Sequence, residues 1–139
     1  MHKTPITLDT LNEWRKNTMV EHLGIELTEF GDGYICGKMP VDHRTHQPMG
    51  LLHGGASVAL AETLASIGAN IHVDATTKAC VGLEINANHI RSVREGWVYG
   101  KATALHIGKS TQVWETRITT EAGDVVCISR MTVAVIDRK

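Results

Sequence analysis

Gly54-Gly55-Ala56-Ser57-Val58-Ala59-Leu60-Ala61-Glu62-Thr63-Leu64-Ala65-Ser66-Ile67-Gly68-Ala69-Asn70-Ile71 runs for eighteen residues with a single charged side chain, Glu62. Its alanines and leucines favour a helix over 54–71, and that helix is apolar on nearly every face. Such a helix is expected at the centre of the domain, wrapped by other structure on all sides. A carboxylate there is destabilising unless it is paired or used, which marks Glu62 as a candidate reactive group. His53 stands directly in front, and the Gly54-Gly55 pair opens the helix.

Extended runs flank this helix. Residues 25–30 and 34–39 alternate around the Gly31-Asp32-Gly33 turn and predict a hairpin, which Pro40 is expected to end. Residues 41–52 are irregular, with Pro48 and Gly50. After the helix come residues 81–90, 97–107, 112–120 and 125–136, separated by turn signals at Arg94-Glu95-Gly96, Gly108-Lys109-Ser110 and Ala122-Gly123-Asp124. Such short links predict antiparallel pairing of consecutive strands, because a parallel crossover needs a dozen or more residues. Residues 1–22 read as an N-terminal helical segment, with Thr10-Leu11-Asn12-Glu13 in capping-box form. The expectation is one α+β domain over residues 1–139, an antiparallel sheet curled around a central buried helix.

Composition narrows the function. A chain of 139 residues, 42% hydrophobic, supports one core. Fourteen basic against fifteen acidic residues give a net charge of -1, which argues against a nucleic-acid partner. Cys36, Cys80 and Cys127 lack the spacing of a disulfide framework or zinc site and suit a reducing cytosol. The first fourteen residues hold no apolar core of signal-peptide length, and the long apolar run carries a carboxylate at its centre; a cytoplasmic protein without a membrane segment is expected. The eight histidines sit at no metal-ligand spacing, so no metal is expected. Gly108-Lys109-Ser110 echoes a phosphate-binding loop, but Thr103 stands where the first glycine belongs and the segment leads into a strand.

The segment His46-Gln47-Pro48-Met49-Gly50-Leu51-Leu52-His53-Gly54-Gly55, then Ala61-Glu62, then Val81-Gly82-Leu83-Glu84-Ile85-Asn86-Ala87-Asn88-His89, closely resembles the hotdog-fold acyl-CoA thioesterases of the Glu-dependent type. Within that family it is most similar to the bacterial branch that holds 1,4-dihydroxy-2-naphthoyl-CoA hydrolases and the proofreading thioesterases of enterobactin assembly. The likeness covers nearly the whole chain and implies the hotdog fold, with hydrolysis of an aryl- or acyl-CoA thioester. One departure is Met49, where many relatives place Phe; it bears on the acyl pocket.

Thioester hydrolysis needs an attacking group, a donor for the oxyanion and a route for the thiolate to leave. The backbone N–H of Gly54 or Gly55, at a helix start, suits the oxyanion. Glu62 lies eight residues on, roughly 12 Å along the axis, so one substrate carbonyl could not easily touch both in one chain. The resemblance resolves this, because the family pairs its central helices across a dimer, and it implies a homodimer that assembles to a tetramer with shared active sites. Glu62 would act as nucleophile or as general base. The likeness gives Gln47 a polarising or positioning role at the thioester and His53 a role in orienting the carbonyl or Gln47. Ser66, one turn after Glu62, falls on its face, with Thr63 one step round.

The substrate's phosphates call for cations and backbone donors. His89-Ile90-Arg91-Ser92 and His106-Ile107-Gly108-Lys109-Ser110-Thr111 resemble the family's coenzyme-contacting segments by position, with Gly82 in the strand nearby. No cofactor is implied, since coenzyme A is part of the substrate, and an acyl-carrier protein could bear the thioester instead. A hydroxyacyl-thioester dehydratase of the same fold and a non-catalytic acyl-thioester binder are the alternative readings.

Overall fold

The computed structural model describes residues 6–139; residues 1–5 of the expected N-terminal segment lie outside the described residues. Two short helices, α1 (Leu8–Glu13) and α2 (Met19–His22), precede the hairpin of β1 (Glu26–Gly31) and β2 (Tyr34–Val41). The long helix α3 (Gly54–Asn70) follows, then β3 (Lys78–His89), β4 (Gly96–Ile107), β5 (Thr111–Thr119) and β6 (Val125–Asp137). The strands form one antiparallel sheet in the order β1-β2-β4-β5-β6-β3, with α3 packed along it. This is the expected hotdog arrangement.

Four local expectations are corrected. The α1 cap is Thr7, whose side chain accepts the Thr10 N–H, so the Thr10 box lies inside the helix; the earlier hydroxyl on extended backbone supplies the acceptor one turn sooner. Pro40 does not end β2, which continues to Val41 beside β4. The Pro40 carbonyl accepts the Thr45 hydroxyl, away from β4. Carbonyl and nitrogen of one strand residue share a side, and β1 pairs no further than Lys38 there, so proline's missing N–H removes no ladder bond. Strands β3 and β4 do not pair; β3 pairs with β6 along its full length. The six linking residues reach about 20 Å when extended, enough to cross two intervening strands at about 4.8 Å each.

The fourth correction concerns the central helix. Ala56, Ser57, Leu60, Ala61, Leu64, Ala65, Gly68 and Ala69 form its buried face. The opposite strip, with Val58, Ala59, Thr63 and Ser66 half-buried and Glu62 exposed, is left uncovered by its own chain. The sheet curls around one side of α3 only. Register shifts at Leu27/Glu29, Gly82/Glu84 and Ala104/His106 supply bulges that add to the curl.

The helix approaches the sheet closely where side chains are missing. A Cβ on Gly68 would lie 2.9 Å from Trp114 Cζ3 and 3.1 Å from Ile35 Cγ2. Both side chains are wholly buried, and the indole N–H donates to Gln112 Oε1 at 2.8 Å, so the ring cannot yield. Gly68→Ala is therefore expected to lower stability by about 1–3 kcal/mol despite alanine's better helix propensity. A lower urea midpoint at unchanged slope would show it; an unchanged or higher midpoint would mean that Trp114 can move.

Helix α3 is tied to its neighbours at its end. Asn70 accepts the Cys80 N–H at 2.9 Å and donates to the Ser66 carbonyl. His72 Nε2 accepts the Gly33 N–H at 2.8 Å, which fixes Nδ1 as the donor to the Gly68 carbonyl at 2.7 Å. Cys80 and Cys127 are buried and Cys36 half-buried, all as free thiols, and burial pushes each thiol above its ordinary range.

Candidate active site

The loop into α3 is irregular in backbone but held at both ends. Thr45, 2% exposed, bonds the Pro40 carbonyl, and its own carbonyl accepts the His53 N–H at 2.8 Å. The Arg44 guanidinium bonds Asp42 and holds that carboxyl down at about 2. Gln47 and Leu51 close a tight turn, with Gly50 at a φ of 78°. The Gln47 side-chain oxygen accepts the N–H groups of Met49 and Leu51. Two backbone donors on one atom fix the amide's orientation and leave its NH2 without a partner among the described residues. His46 and Leu52 bind the Arg94 and Val93 carbonyls at 2.8 Å, which fastens the loop to the segment after β3.

His53 caps α3. Its Nδ1 accepts the Gly55 N–H at 2.7 Å, and its carbonyl accepts the Ala56 and Ser57 N–H groups. Of the two glycine donors, Gly55 is therefore engaged by the cap, and the Gly54 N–H is the one that donates to no described residue. The His53 ring faces the helix start; no described hydrogen bond joins it to Gln47. Against Gly54 lies His89, whose ring would stand 2.9 Å from a Cβ placed there.

Gln47, Gly54, His89, Ile90, Arg91 and Ser92 line one cavity of about 350 Å³, together with Leu51, Leu52, Ser57 and Val126. Glu62, Thr63 and Ser66 line a different cavity, of about 450 Å³, against α2 and its flanking residues Trp14, Thr18, Leu23 and Ile25. Gly82 belongs with the second group, since its Cβ would stand 3.5 Å from Glu62 Oε2. The hairpin His106 to Thr111 borders neither cavity. Thr111 pairs with Ala134 whereas His89 pairs with Cys127, and those seven residues of β6 separate the two segments by about 24 Å. The chain thus gathers the anticipated residues in three places. Met49, 75% exposed, lines neither cavity.

Two sets were missed. Ser57, 1% exposed, puts a buried hydroxyl beside Gly54 and Gln47; a serine on the first turn of an apolar helix was the available signal. Trp14, Thr18, Met19, Val20, Leu23 and Ile25 wall the Glu62 cavity, and their sequence gives no sign of it. Among the described residues no group of three or more His, Cys, Asp or Glu side chains forms a metal-binding cluster, and no helix is long and apolar enough to cross a membrane.

Residues 49–127, more than half of the chain, match the sequence profile of the Thioesterase superfamily. The chain belongs to this family. The thioesterase superfamily profile leaves out residues 6–48, and with them the N-terminal wall of the Glu62 cavity. Similarity to whole proteins runs further. The chain is 48% identical to 1,4-dihydroxy-2-naphthoyl-CoA hydrolase of Escherichia coli over 134 residues, 96% of this chain and 98% of that one. It is 49% identical to the proofreading thioesterase EntH of Cronobacter turicensis over 137 residues, covering 96% and 97%. A crystal structure of a Haemophilus influenzae thioesterase superposes with a TM-score of 0.93 at 49% identity, over 97% of this chain and 94% of that one. This thioesterase superfamily member is a thioester hydrolase with the hotdog fold.

Proposed function

We propose that the protein hydrolyses an aryl- or acyl-CoA thioester to the free acid and coenzyme A, at sites shared between two copies of the chain. One observation carries the reading. Gly54 and Gln47, whose N–H and NH2 have no partner among the described residues, line one cavity, while Glu62 sits about 12 Å along the same helix in another. Strand β3 supports the pairing: it forms a twelve-residue sheet edge with Leu83 62% and Val81 43% exposed, beside the uncovered strip of α3. A long unpaired edge that exposes apolar side chains is an association surface. Two copies joined antiparallel along β3 and α3 set the carboxylate of each opposite the Gly54 end of the other. Pairs of such dimers complete the tetramer that the family likeness implies, and the free thiols suit a cytoplasmic setting.

In this arrangement the Gly54 N–H and Gln47 NH2 polarise the thioester carbonyl and hold the oxyanion as it forms. As a general base, Glu62 takes a proton from water while the hydroxide adds to the carbonyl carbon. The tetrahedral intermediate then collapses, breaks the C–S bond and releases the coenzyme thiolate, which recovers the proton. As a nucleophile, Glu62 adds to the carbonyl itself, expels the thiolate and leaves an acyl anhydride that water opens. Label on Glu62 after one turnover in 18O-water would show the anhydride route, with water opening the anhydride at the Glu62 carbonyl. Ser66 and Thr63 hydroxyls stand in the Glu62 cavity to hold the water or the carboxylate. His53, by capping the helix, keeps the Gly54 donor in place.

The coenzyme lies along His89 to Ser92 of one copy and the His106 to Thr111 hairpin of the other, since one chain holds these about 24 Å apart. Either coenzyme A or a carrier protein's arm can bear the acyl group. Thiol release from a panel of aryl- and alkyl-CoA thioesters tests the activity, and no release from any member would overturn it. Arg91→Ala and Lys109→Ala are each expected to raise KM by about five- to tenfold with kcat little changed, the size of one phosphate contact. Unchanged KM in both would place the coenzyme elsewhere.

A further inference from the structure

We propose that the Ser57 hydroxyl is a third donor to the thioester oxygen, joining the Gly54 N–H and the Gln47 NH2 where the oxyanion forms. This rests on the proposed placement of that oxyanion at the Gly54 end of α3. Ser57 follows Gly54 by three residues, so the two share a face of the helix about one turn apart. Helical side chains lean toward the N-terminus, which carries the Ser57 hydroxyl back over the turn that Gly54 opens. Both residues line the cavity of about 350 Å³ together with Gln47.

Three observations mark this hydroxyl as one held for a ligand. Ser57 is 1% exposed, yet its hydroxyl bonds no described residue. A serine inside a helix commonly discharges its hydroxyl on the carbonyl one turn back. Here that carbonyl, of His53, takes the Ala56 and Ser57 N–H groups at 2.9 and 3.3 Å instead. The oxygen is not sealed in either: among the described residues Arg15 Nε is the one fully enclosed side-chain polar atom without a partner, so what little of Ser57 stays open includes its hydroxyl oxygen. Next, a more stabilising occupant exists. Alanine, already present at 56, 59, 61 and 65, fits the same space with better helix propensity and no polar atom to leave unpaired. Finally, the cavity favours negative charge, since no acidic side chain lines it and Arg91 does. No described base bonds the hydroxyl, so it is placed to donate and not to attack. Its bond to the oxygen strengthens as charge grows there, which assigns the effect to kcat.

Two measurements test the assignment. Ser57→Ala is expected to lower kcat for thiol release by about 10- to 100-fold with KM little changed, the worth of one hydrogen bond to a charged group. Its thermal midpoint should equal or exceed the native one, whereas loss of a purely structural serine would lower the midpoint. Ser57→Cys, which keeps the shape and a weak donor, is expected to fall between the two in kcat. Independently of turnover, a ketone analogue of hexanoyl-CoA, with CH2 in place of the thioester sulfur and 13C at the carbonyl, is expected to show a lower carbonyl stretching frequency on the native protein than on Ser57→Ala. Thiol release by the native protein that Ser57→Ala keeps at full kcat, or a carbonyl band at one frequency in both, would overturn the Ser57 assignment and leave hydrolysis standing. A lower kcat with a lower thermal midpoint and an unshifted band would make the serine structural and overturn it too. No thiol release from any thioester, with the band difference present, would instead overturn the hydrolytic reading and leave Ser57 as a carbonyl donor.

Discussion

Glu62→Gln is expected to lower kcat for thiol release by about a thousandfold while KM changes little, within the range of roughly 10² to 10⁴ that a positioned proton-transfer group supplies. The amide keeps the size of the carboxylate but can neither attack a carbonyl nor take a proton at neutral pH. Glu62 is exposed in its own chain and makes no described hydrogen bond or ion pair, so the substitution leaves the chain's own packing alone. Thermal unfolding and molecular mass in solution should match the native protein. Retained activity would remove Glu62 from the chemistry. Lost activity with an altered mass would make it an interface residue instead.

The second large effect concerns the Gly54 N–H. Proline suits this position: Gly54 is the first helical residue, its N–H has no partner among the described residues, and His53 before it has an extended backbone at φ -70° and ψ 130°. Gly54→Pro thus deletes one donor from an intact helix start, which should cost about 10²- to 10³-fold in kcat. Any new side chain here meets the His89 ring, so Gly54→Ala, which keeps the N–H, is the control for crowding. Proline and alanine variants of equal activity would exclude the Gly54 donor. Co-expression of Gly54→Pro with Glu62→Gln then tests sharing. Half of randomly formed dimers contain one of each, and each has one fully native site, so activity should return to about a quarter of native. Sites confined to single chains would show no recovery.

How far these residues were legible depends on the reach of the interactions that place them. Glu62 stood out because one charge in an apolar helix is a local contradiction, and the helix, the hairpins β1-β2, β4-β5 and β5-β6 and the sheet class follow from periodicity and turn chemistry. Yet the physical premise was off: the carboxylate is exposed within its chain, since sequence does not tell a face covered by the same chain from one left open. The pairing of β3 with β6 was hidden for a related reason, as turn signals mark where a chain bends and not which strand it meets. His53 takes an orienting role from the resemblance alone, and the sequence gives no sign that its ring caps the helix, a placement made by the loop geometry that Thr45 fixes. The N-terminal wall was invisible because Trp14, Met19 and Val20 gain meaning only from long-range packing against α3.

The three free thiols bear on a practical matter of detection. Cys80 and Cys127 are buried and Cys36 is half-buried, and burial raises all three thiols, so a chromogenic disulfide reagent added to the reaction is expected to report mainly the coenzyme sulfhydryl set free. Colour can therefore be followed continuously at high protein concentration, where variants slowed a thousandfold still give a readable rate.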